Sequence, residues 1–193
     1  MTYLILGLIL FLGVHSVRIL ADGLRTRTID RIGLNPWKGL YTLVSLAGFA
    51  LLCYGYGLSR GDPGLIWNPP AWTRHATALL TLVSFILLAA AYVPGNRVKA
   101  RVGHPMVAGV TVWAFAHLLS NGRAGDVVLF GAFLAWAVAD YLAARRRDRA
   151  AGTVYPVLGA SRDVVVVVSG IVAYAAFAFW LHFWLIGVKP FGV

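Results

Sequence analysis

Six long apolar runs, almost free of charge, constrain this chain more than any other feature. They cover residues 2–20, 40–58, 75–93, 105–120, 126–143 and 164–186. Only Arg18, Asp126 and Asp140 bring formal charge into them. A hydrocarbon layer offers no water to satisfy a bare backbone, so a segment crossing it must close its own hydrogen bonds. About 20 apolar residues of helix suffice for the crossing. The expected fold is therefore all-α: a single integral membrane domain over residues 1–193, a polytopic bundle of about six transmembrane helices. Composition agrees, since 12% of the residues are charged against about 25% in soluble domains. Little sequence remains between the runs for a separate soluble domain. No basic segment precedes the first run, which reads as a retained helix rather than a cleaved signal.

The net charge of +10 calls nucleic acid to mind, but the basic residues lie at the ends of apolar runs. With Arg18, at the inner end of run one, counted in the first loop, the loops after runs one, three and five carry Arg18, Arg25, Arg27, Arg31, Lys38, Arg97, Lys99, Arg101, Arg145, Arg146, Arg147, Arg149 and Arg162. The remaining loops and tails carry Arg60, Arg74, Arg123 and Lys189. Cytoplasmic loops are enriched in Lys and Arg, so this asymmetry predicts both termini on the non-cytoplasmic side. It also predicts lipid headgroups, not nucleic acid, as the partner of the basic residues. Trp67, Trp72, Trp180 and Trp184 fall at the opposite interface, where amphipathic rings settle.

Ionisable groups inside a membrane are costly and attract functional attention. His15 lies near the inner end of the first run and His117 toward the far end of the fourth, while His104 opens that fourth run ahead of Pro105. His75 and His182 lie at interfaces, where a histidine costs little. Imidazole can bind a metal or carry protons, and facing histidines in a bundle can hold a haem. Asp140, close to Arg145–Arg147, is expected to form an ion pair. Cys53, the only cysteine, excludes an intrachain disulfide and is expected to be a packing residue. No paired carboxylates, CxxC pairs, GxGxxG or Walker loop support the corresponding enzyme classes.

Several segments resemble the NnrU family: Val14-His15-Ser16, Trp37-Lys38-Gly39-Leu40-Tyr41, Val44 to Phe49, Gly103-His104-Pro105-Met106, Trp113 to Gly122 and Leu129 to Phe133. The resemblance implies a protein of the bacterial inner membrane linked to denitrification and nitric oxide metabolism. That family is similar to a plastid cis-carotene isomerase containing haem b. By motif, its axial histidines correspond to His15 and His117, and its His-Pro pair to His104-Pro105. The implied cofactor is haem b, held by His15 and His117 with His104 as the rival ligand, and with Arg18 a candidate for the propionates. The implied activity is redox-linked isomerisation of a hydrophobic polyene, or handling of nitric oxide. A non-enzymatic accessory or transport role in nitrogen-oxide respiration is the alternative. The isomerase has a cysteine three residues before the second histidine; here the residue is Ala114, which removes the thiolate ligand. Straight helices would leave His15 and His117 more than roughly 10 Å apart in depth. His15 with His104 is the easier pair on that ground.

His104-Pro105-Met106-Val107-Ala108-Gly109 is also similar to the RHPxYxG motif of S-adenosylmethionine-dependent isoprenylcysteine methyltransferases. Gly103 and Val107 replace the motif's arginine and tyrosine, and the paired glutamates of that family are missing.

Overall fold

A computed structural model describes residues 1–61 and 64–191. Six apolar helices occupy the six runs. Four are long and apolar enough to cross a membrane: α4 (Leu34–Ser59), α5 (Trp72–Tyr92), α8 (Ala124–Ala151) and the final segment Ala160–Ile186. That last segment comprises α9 (Ala160–Ala176), a π-helical turn (Phe177–Leu181) and α10 (His182–Ile186). The other two, α1 (Thr2–His15) and α7 (Pro105–Ser120), have 14 and 16 residues, or about 21 and 24 Å of rise.

The first run is interrupted rather than continuous. The Ser16 hydroxyl donates to the Leu12 carbonyl at 2.7 Å, a back-bond that bends helices. The chain resumes as the short α2 (Val17–Leu20). It then enters a polar helix, α3 (Asp22–Ile32), where hydropathy suggested only a loop. Gly33, at φ 89°, separates α3 from α4. Pro36 lies in the first turn of α4, where its missing N–H breaks no hydrogen bond. Pro105 is likewise the first residue of α7.

Packing partners place the helices in the spatial order α4, α1, α8, α7, α5, α9. Antiparallel α1 and α4 approach most closely. Gly7 meets the backbone of Leu51 and Leu52, and Gly55 meets that of Tyr3 and Leu4. Small residues permit such contact between membrane helices. Hydroxyls on α5 fasten it to α7: Thr77 donates to the Ala116 carbonyl at 2.7 Å and Ser84 to the Gly109 carbonyl at 2.8 Å. α8 sits centrally, touching α1, α2, α4 and α7.

Contacts at the ends confirm the alternation of the helices. At one end Arg147 bonds to the Arg18 carbonyl, and Tyr141 to that of Val102. At the other, Ile66 bonds to Gly122, and Arg123 to the Arg60 carbonyl. The thirteen basic residues of the odd loops share the first end. Trp72, Trp180 and Trp184 are exposed at the second. The outer surface of the bundle is strongly apolar, with Leu43, Leu46, Leu79 and Val172 each more than half exposed. Soluble proteins rarely carry such a continuous apolar surface; these faces are built for lipid. Cys53 lies on that exposed surface of α4 instead of packing between helices, because Leu52 and Gly55 occupy the buried stripe.

Candidate functional site

His15 and His117 share one side-chain habit. His15 Nδ1 lies 2.6 Å from the Phe11 carbonyl, and His117 Nδ1 lies 2.8 Å from the Trp113 carbonyl. A carbonyl oxygen can only accept, so Nδ1 carries the proton in both rings. In the neutral imidazole this leaves Nε2 with a lone pair. Neither Nε2 has a hydrogen-bond partner among the described residues. Protein-bound metals are commonly ligated by a histidine fixed in this manner, its second nitrogen tied to a carbonyl.

The surroundings of both rings are aromatic. His15 is packed by Phe11, Tyr41 and Trp136, at centroid separations of 4.3, 5.2 and 5.9 Å. His117 is packed by Phe130 at 4.8 Å and Trp113 at 5.1 Å. Phe133 joins the two groups, lying 5.9 Å from Phe11 and 5.6 Å from Trp113. α8 thus presents Phe130, Phe133 and Trp136 along one face, with His15 at one end and His117 at the other. Their contacts on α8, Trp136 and Phe130, are six residues apart, about 9 Å along its axis. The two histidines thus contact α8 at different levels, with Phe133 between those levels.

His104 is placed elsewhere. Its Nε2 is buried 2.9 Å from Asp148 Oδ2, an ion-pair contact without a hydrogen bond. Tyr155 donates to the same carboxylate oxygen at 3.0 Å, and Arg145 approaches it at 3.7 Å. Burial, then the hydrogen bond to Asp148, raise the Tyr155 phenol above its ordinary value. This group ties the start of α7 and the loop before α9 to the polar end of α8. Arg18 is exposed and pairs weakly with Asp22 at 3.9 Å. It shares a groove with Arg146 and Arg147. His75 is exposed, and His182 bonds to the Val188 carbonyl. The expected ion pair of Asp140 is formed with Arg147, at 3.8 Å.

Hydropathy could not single out Trp136, Phe133 or Phe130, since aromatic residues are equally at home facing lipid. Segment resemblance did touch this region. Tyr41, Phe49, Trp113, Phe130 and Phe133 come from the segments quoted above, and each lies on His15, on His117 or on Phe11 between them. The family model described as NnrU protein matches residues 3–190. The chain belongs to the NnrU family. No curated protein and no solved structure matches it. Among the described residues of this NnrU protein, no cluster of three or more His, Cys, Asp or Glu could hold a metal ion. A pair of axial imidazoles does not require one.

Proposed function

We propose that this NnrU-family protein binds haem b through His15 and His117. The supporting observation is the matched pair of half-buried imidazoles, each with Nδ1 tied to a carbonyl and Nε2 free, set in an aromatic lining. That donor set suits haem iron, and the flat apolar rings suit a macrocycle, which would take the place of the Phe133 ring now lying between the two histidines. Bound haem would supply a one-electron iron couple inside the bilayer. The protein's part is to hold both rings in a single tautomer, to exclude water with Phe11, Trp113 and Phe130, and to surround the site with apolar surface open to a membrane-soluble partner. His104 is the weaker ligand candidate because Asp148 occupies its Nε2.

We assign the protein to the bacterial inner membrane with both termini non-cytoplasmic, on the strength of the charge asymmetry. A role in nitric oxide handling during denitrification is the reading we favour over polyene isomerisation, because Ala114, fully buried, offers no thiolate in place of the missing cysteine. The decisive measurement is the absorption spectrum of full-length protein purified from haem-replete cells. A Soret band is expected, lost in His15→Ala and in His117→Ala but kept in His104→Ala. Colourless wild-type protein that remains folded sinks the proposal. Product formation from a cis-carotene, or a Soret shift under nitric oxide, then separates the two activities. Thermal protection by S-adenosylmethionine would point to methyl transfer instead.

A further inference from the structure

Two adjoining cavities run along the outer seam between α1–α2 and α8, sharing Ile19 and Ala139. One, of about 470 Å³, is lined by apolar residues including Leu8, Leu12, Gly13 and Trp136. The other, of about 480 Å³, is lined by Arg18, Arg146 and Arg147 together with Asp22. The groove therefore changes from hydrocarbon to cationic along its length. From Leu8 to Leu20 it follows α1 and, past the break at Ser16, α2, roughly 18 Å of rise. One leaflet of the hydrocarbon core is about 15 Å deep. The cationic half lies at the arginine-rich end, level with the ends of the helices.

Charge at that end is only partly neutralised within the protein. Asp22 is approached by Arg18 and Arg25, each at 3.9 Å, and Asp140 by Arg147 at 3.8 Å. Arg146 forms no ion pair or hydrogen bond among the described residues. Three guanidinium groups, Arg18, Arg146 and Arg147, thus line the cationic half with one carboxylate, Asp22, beside a slot of acyl-chain length. Guanidinium is the side chain best matched to phosphate oxygens.

We propose that this groove holds one anionic phospholipid of the leaflet at the arginine-rich end. Its acyl chain lies against Leu12 and Trp136, and its phosphate lies against Arg18, Arg146 and Arg147. Trp136 also touches His15, so the lipid forms one wall beside the candidate haem site. The lipid site itself does not depend on haem being bound.

Lipid titration of the full-length protein in detergent, read by native mass spectrometry and thermal unfolding, tests the assignment. Phosphatidylglycerol should bind one molecule tightly and raise the unfolding temperature more than phosphatidylcholine of the same chains. Arg146→Gln, which removes an exposed side chain without an internal partner, should weaken phosphatidylglycerol about fivefold and zwitterionic phosphatidylcholine by less. Ala139→Phe, filling the slot where the two halves meet, should abolish the tight phosphatidylglycerol site. Equal binding of the two lipids, or an unchanged phosphatidylglycerol affinity in Arg146→Gln, overturns the proposal. So does equal stabilisation by inorganic phosphate alone, which would make the site one for a free anion. Loss of a wild-type Soret band in folded Arg146→Gln would assign the arginine to haem carboxylates and overturn it too. A colourless wild type with intact lipid selectivity would defeat the haem reading alone.

Discussion

Trp136 stands edge-on to His15, with ring centroids 5.9 Å apart and planes at 88°, while its own indole Nε1 is buried without a hydrogen-bond partner. An unpaired buried donor costs about 1–3 kcal/mol. Trp136→Phe keeps an aromatic ring beside His15 and removes the donor, so its unfolding temperature in detergent should equal or exceed that of the wild type. Trp136→Ala should destabilise by roughly 2 kcal/mol, less than a fully buried aromatic because the ring is half-buried. A clear loss of stability in Trp136→Phe would mean that the N–H has an acceptor, such as a bound ligand.

Two glycines on α4 provide a matched pair. A Cβ at Gly55 would collide with the backbone of Tyr3 and Leu4, whereas one at Gly57 meets nothing within 4 Å. Gly55→Ala should force α1 and α4 apart and cost about 1–3 kcal/mol. Gly57→Ala should be neutral or stabilise by up to about 1 kcal/mol through helix propensity. Similar effects of the two substitutions, followed by helical circular dichroism on heating, would refute the close approach.

The His104–Asp148–Tyr155 group should act as a latch rather than as part of the haem site. Asp148→Asn and His104→Ala should both speed hydrogen exchange in residues 153–159. Neither should move the Soret band.

Tyr155 gives this latch a dependence on alkaline pH. Its phenol has a higher pKa in the folded protein than the ordinary value near 10, so folding favours the protonated form. The contribution is complete below about pH 10 and is lost as pH rises from there through the folded value. Wild-type thermal stability should fall more steeply above about pH 10 than that of Tyr155→Phe. Parallel curves would remove Tyr155 from the account.

Much of the fold could be read from hydropathy because lipid and water impose opposite demands on adjacent segments. What hydropathy marks, however, is the immersed part of a helix and not its ends. α4 starts at Leu34, six residues before its apolar run, and α8 continues to Ala151, eight residues beyond Ala143. Polar α3 gave no apolar signal at all. The break at Ser16 depends on one hydroxyl reaching a carbonyl, which no average over a window registers. His15 and His117 stood out as ionisable groups in apolar surroundings. Their environment did not, since only the register of α1 and α7 against α8 decides which aromatic residues face them.

That register has an evolutionary corollary. Both histidines are gauged against the same stretch of α8, from Phe130 to Trp136, and each residue inserted into a helix turns everything beyond it by about 100°. A single insertion or deletion there would leave one histidine correctly seated and swing the contact of the other toward lipid. The spacing within this stretch, more than the identity of any ring in it, is what descendants of this chain are least free to alter.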